Sequence, residues 1–191
     1  MKSFQPISHC NAAADICAAL GGLLSQYLHT NQAAGLSEQS CLSQLRSLVS
    51  AGPDGPRLQT PPAWPKAIAQ TPVMRLVGAL SHCYAAPVGF CFSAISGAYC
   101  SRQVRLHPAK FARLAEQVWG ISPLGKTEQS LARLGVDCLR EWLLSLGAPV
   151  SLYALGVSDD LAFPALIRRC GGEAAGDIQH GQHGEDERLH T

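Results

Sequence analysis

Between Leu76 and Ser101 the sequence contains no Asp, Glu, Lys or Arg, and that stretch constrains the fold more than any other feature. A helix of about 20 apolar residues is long enough to cross a bilayer. His82, Pro87, three glycines and four serines divide the stretch more naturally into two buried helices, Pro72 to Tyr84 and Val88 to Tyr99. Small residues such as Gly78, Ala79, Ser81, Gly89, Ala94 and Gly97 permit close backbone approach, which predicts that the pair forms the centre of a bundle. No membrane partner is expected.

The rest of the chain follows the same 3.6-residue period. Ala12 to Leu28 repeats Leu20, Leu23, Leu24, Tyr27 and Leu28 at helical spacing. Ser37 is placed to cap a helix with Leu42, Leu45, Leu48 and Val49 on one face. Residues 51 to 65 are rich in proline and glycine and read as a loop between helices. His107-Pro108 opens a helix over Ala109 to Trp119, with Gly120 as its stop. Thr127 opens another that runs to Leu146, with Leu131, Leu134, Cys138, Leu139, Trp142, Leu143 and Leu146 inward, before Gly147-Ala148-Pro149 ends it. Ser158-Asp159-Asp160 caps a last segment, Leu161 to Cys170. No segment alternates as a strand would, so the fold class is all-α. One helical domain is expected over residues 1 to 170, followed by a frayed Gly-, His- and acid-rich tail over 171 to 191.

Charge and cysteine usage exclude further classes. Fifteen basic residues against fourteen acidic ones give a formal charge of +1, too small a field to gather nucleic acid. The eight cysteines never occur as CxxC and mostly sit in apolar stretches, which fits reduced, core-filling thiols of a cytoplasmic protein. The first nine residues lack the apolar run of a secretory signal. His180 and His183 supply only two ligands on a tail, which is too few for a metal site.

Four segments, in order, carry a family resemblance. Ser25-Gln26-Tyr27-Leu28, followed by Leu36-Ser37-Glu38 and Leu45 to Pro53, resembles an "EQYL" helix and the "LxxLIxxGP" helix after it. Ala79-Leu80-Ser81 with Tyr84 and Pro87-Val88-Gly89 is similar to "HxLSxxYxxPHG". Lys110 to Ile121 is similar to "KLLQYAERVWNI", and Leu144 to Val157 to "LGVPTHLSDYGL". Together these segments resemble the C-terminal helical domain of the iron-containing alcohol dehydrogenases, in particular the NADPH-dependent butanol dehydrogenase and aldehyde reductase branch.

That resemblance implies an all-α bundle of the dehydroquinate synthase-like type. In the family, one Asp and three His hold iron or zinc, which polarises the substrate oxygen while NAD(P) exchanges a hydride. Carried over residue by residue, the ligand Asp is Asp15 when counted forward from Asn11, or Ala18 when counted back from Gln26. The first His falls correspondingly at Ala19 or Gly22, the second at Gly78 and the third at Val88. Asp15 is therefore the one possible remnant ligand, since Gly, Ala and Val coordinate nothing. His82, one helical turn after Gly78, is expected to be a hydrogen-bonded core residue.

Family members also hold the nicotinamide cofactor in an N-terminal α/β domain with a Gly-Gly phosphate loop. Neither Gly21-Gly22 nor Gly171-Gly172 follows a strand, so neither reads as that loop. The expectation is a truncated, ligand-degenerate pseudoenzyme with no catalytic residues, no cofactor site and no activity alone. Two other readings remain open. One is a helical module that forms a homo-oligomer or pairs with a full-length dehydrogenase or a separately encoded cofactor domain, because 15% charged residues leave apolar faces to cover. The other is new chemistry at Cys83 or Cys91 with His82, which is disfavoured because neighbours on a helix point about 100° apart.

Overall fold

The computed structural model describes residues 8–29, 36–52 and 66–157, and among these it contains seven helices and no strand. The segment expected over 161 to 170, the tail and most of the 51 to 65 loop lie outside the described residues.

Helix α1 (Ser8–His29) is unbroken, and Cys17, Leu20, Leu24, Tyr27 and Leu28 on it are buried. Helix α2 (Glu38–Ala51) starts where Ser37 was expected to cap it: the Ser40 amide donates to Ser37 Oγ at 3.1 Å, and Glu38 favours the positive end of the helix. Its inward face is Cys41, Leu42 and Leu45. The short α3 (Lys66–Ala69) leads into α4 (Pro72–Tyr84), whose Pro72 occupies the first helical turn, where a missing N–H costs nothing. Ala85 ends α4 in the left-handed region at φ 50°, and Ser81 Oγ donates to the Ala86 carbonyl at 2.7 Å, which holds the turn before Pro87.

The uncharged stretch is divided as expected, but α5 (Val88–Leu106) runs two turns past Tyr99. Arg102 and Arg105 fall near its negative end, which suits basic side chains, and His107-Pro108 is what stops it. Phe90, Cys91, Phe92, Ile95, Cys100 and Val104 are buried, and α5 packs against α1, α4, α6 and α7. Among the described helices the centre of the bundle is α5 with α1, and not the α4–α5 pair. Helix α4 is peripheral, with Pro72, Arg75, Gly78, His82 and Cys83 exposed.

Helices α6 (Pro108–Gln117) and α7 (Glu128–Ser145) form the most extensively packed pair. Gly120 (φ 68°) stops the first, and Thr127 caps the second by accepting from the Ser130 amide at 3.2 Å. The inward face of α7 is Leu131, Ala132, Gly135, Leu139 and Leu143. Leu134 is exposed and Cys138 half-buried, a correction to the expected stripe: small Ala132 and Gly135 occupy the contact because α6 approaches too closely for leucine. No described helix is long and apolar enough to cross a membrane.

Candidate functional site

Three helices carry the positions that the resemblance assigns to metal ligands. On α1, Asp15 is half-buried, whereas Ala18, Ala19 and Gly22 are buried. On α5, Val88 is partly buried and packs against the main core. On α4, Gly78 lies exposed, and a methyl group added there would meet nothing within 4 Å.

The α1 and α5 positions are brought together by an unusually close helix contact. Gly89 sits on the α1 backbone, where a Cβ would overlap the Ala14 carbonyl oxygen and lie 2.6 Å from the Ala18 nitrogen. Further along, Gly21 lies beneath the Phe92 ring, with its hypothetical Cβ 2.7 Å from the ring's Cγ. Cys17 faces Ser93, and burial pushes its thiol up to about 12. At the C-terminal end of α1, His29 Nε2 and the Tyr99 hydroxyl are 2.8 Å apart. The two helices therefore run in the same direction along a seam with no charged residue at its close contacts.

The donors present do not fit iron or zinc. Such ions exchange their water for three or four protein ligands, and the assigned positions offer one carboxylate, Asp15. Among the described residues no three His, Cys, Asp or Glu side chains cluster closely enough to hold a metal.

His82 is exposed at the outer surface of α4, beside Gly78, and is not the core residue expected; the peripheral position of α4 is the reason. Cys83 is also exposed. Cys91 is buried, its thiol pushed up to about 11 by desolvation, and it donates to the Ala86 carbonyl. An activated thiol needs a lowered pKa and a nearby base, so buried Cys91, with its thiol pushed up, is not one. The expectation of core-filling thiols holds for Cys17, Cys41, Cys91 and Cys100, all buried and unpaired.

One polar cluster escaped the sequence reading. The Tyr27 hydroxyl donates to the Lys110 carbonyl at 2.9 Å, and Lys110 Nζ donates back to the Tyr27 carbonyl at 3.0 Å. Glu38 pairs with Lys110 at 3.0 Å and with Arg113 at 2.9 Å. The cluster ties the end of α1 to the starts of α2 and α6. No pattern in the sequence links Tyr27 to Lys110, 83 residues apart.

No family model matches the sequence, and no curated protein sequence does. Solved structures do match. The substrate- and cofactor-free aldehyde reductase YqhD of E. coli is similar at a TM-score of 0.68 and 17% identity, over 92% of this chain and 52% of that one. The NADH-dependent butanol dehydrogenase A of Thermotoga maritima is similar at a TM-score of 0.64 and 21% identity, over 86% of this chain and 45% of that one. The chain thus has an all-helical fold shared with reductase and dehydrogenase structures of the kind the four segments suggested, and it spans about half their length.

Proposed function

We propose that this chain is a ligand-degenerate helical scaffold of the iron-containing alcohol dehydrogenase type, which performs no metal-assisted hydride transfer by itself. The observation that carries the reading is the fate of the ligand positions. Ala18, Ala19 and Gly22 are buried, Val88 packs into the core and Gly78 is bare at the surface. Hydride transfer needs donor, acceptor and polarising group held together, and Asp15 alone supplies too little. Purified protein should contain well under one equivalent of iron or zinc and should oxidise no alcohol and reduce no aldehyde with NAD(P). Stoichiometric metal together with turnover would overturn the reading.

The likeness to about half of each neighbouring structure supports a second reading, in which the chain pairs with itself, a full-length dehydrogenase or a separate cofactor domain. Leu106, Leu124 and Tyr153, each more than half exposed, are side chains that such a partner would cover. Light scattering that shows a monomer with or without added dehydrogenase would remove it. The free thiols support a reducing, cytoplasmic setting.

A further inference from the structure

Helix α1 ends on a histidine that is bonded away from its own helix. His29 is the last residue of α1, and its Nε2 lies 2.8 Å from the Tyr99 hydroxyl on α5, with the two rings tilted at 41° and their centroids 6.4 Å apart. Ser25, fully buried one turn earlier on α1, faces the same hydroxyl. The charged groups that face this pair are basic. His107, which joins α5 to α6 and whose side chain makes no capping bond, and Lys110 on α6 both act on His29. On α5 the charged residues after Tyr99 are Arg102 and Arg105, and the one acid on α1, Asp15, lies roughly four turns back. Glu38 on α2 is already bonded to Lys110 and Arg113.

We propose that His29 is a pH-sensitive latch: neutral, it fastens the end of α1 to α5 through Tyr99, and protonated, it is driven off by the cationic start of α6. A neutral imidazole can donate to the Tyr99 hydroxyl or accept from it, so the bond needs no charge. A proton added there is opposed first by desolvation and then by His107 and Lys110, which hold the His29 pKa below its ordinary value. The negative end of α1 favours the proton, but it is equivalent to about half a charge, against burial and the whole charge of Lys110. Part of the ring stays in water, so the effect is modest. A histidine whose folded pKa lies below its unfolded one, about 6.5, contributes stability that is full above that pH. The contribution is lost as pH falls from there through the folded value.

The test follows the full chain from about pH 8 to about pH 5, a range in which carboxylates of ordinary pKa stay ionised. In a histidine NMR titration, the resonance that is absent from His29→Gln should have its midpoint below about 6.5, and His107→Gln should raise that midpoint. In thermal unfolding, the parent should be the more stable of the parent and His29→Gln at about pH 8, and its Tm advantage should shrink by roughly 2 °C or more by about pH 5. His82→Gln, at an exposed position on α4, should follow the parent throughout. The latch is overturned by a midpoint at or above about 6.5, by a midpoint that His107→Gln leaves in place, or by parent and His29→Gln profiles that run parallel. None of these outcomes depends on whether the chain holds metal or turns over a substrate, so the latch and the inactive scaffold stand or fall separately.

Discussion

The α1–α5 seam and the α6–α7 hairpin are both close helix contacts built on a glycine, yet they reached that state by different chemistry. In the hairpin, Gly135 faces the Ala115 methyl, with a hypothetical Cβ 3.0 Å from it, and large residues flank the contact: Phe111 and Leu114 from one side, Leu139 and Leu143 from the other. Trp119 and Trp142 close its edge, ring centroids 6.3 Å apart at 64°. The seam instead meets backbone at Gly89 and has alanine, cysteine and serine where the hairpin has leucine. At Gly135 the neighbours need give only a few tenths of an ångström, whereas at Gly89 a Cβ would overlap a carbonyl oxygen outright.

Matched substitutions should therefore separate the two regions sharply. Gly89→Ala forces a methyl into the Ala14 carbonyl and should cost at least about 3 kcal/mol, above the usual range for overpacking. Gly135→Ala needs Ala115 to move by a few tenths of an ångström while gaining helix propensity, so its net effect should stay within about 1 kcal/mol. Equal losses in urea unfolding would erase the distinction.

Large-to-small changes probe the same comparison from the other side. Phe92→Ala in the seam and Leu143→Ala in the hairpin each remove a side chain that is fully buried. Phe92 should cost about 3–5 kcal/mol and Leu143 about 2–5 kcal/mol. A Phe92→Ala loss well under about 3 kcal/mol would mean that Phe92 is not the cover that keeps Gly21 and α5 together.

The hairpin was legible in the sequence, and the seam mostly was not. Thr127, Gly120 and the spacing of Phe111, Leu114, Leu131 and Leu139 marked the hairpin because large apolar residues at helical period identify a buried face. The misplacements there, Leu134 and Cys138, arose because Ala132 and Gly135 carry little hydrophobic signal although they form the contact. In the seam nearly every residue is apolar or small, so periodicity cannot say which face is in. Pro87 marked the break between α4 and α5, but nothing local showed that α4 would lie at the edge and leave His82 exposed. The ligand positions came from resemblance, and the structure added where they lie: two helices in contact and a third turned outward. A helix N-cap shows how local chemistry stays readable where tertiary placement does not. Thr127→Ala removes the hydrogen bond to the Ser130 amide and should cost about 1 kcal/mol.

The smallest expected effect belongs to the cluster that joins the two regions. Glu38 is held below its ordinary carboxylate value first by the Lys110 hydrogen bond and then by the charges of Lys110 and Arg113, against an opposing push from desolvation. A carboxyl with a depressed folded pKa adds stability above its unfolded pKa, and that contribution fades as pH falls through the folded value. The Glu38 side chain is 41% exposed and Arg113 is more so, so solvent screens both pairs. Glu38→Gln should therefore cost no more than about 1 kcal/mol at pH 7 and still less in high salt. The gap between parent and variant should narrow as pH drops below about 4.3, the ordinary carboxylate range. The hydrogen bonds between Tyr27 and Lys110 do not involve the carboxylate, so the end of α1 should stay docked in the variant. A gap that persisted at pH 2.5, or one several times larger, would mean that Glu38 acts through packing at the start of α2 and not through charge.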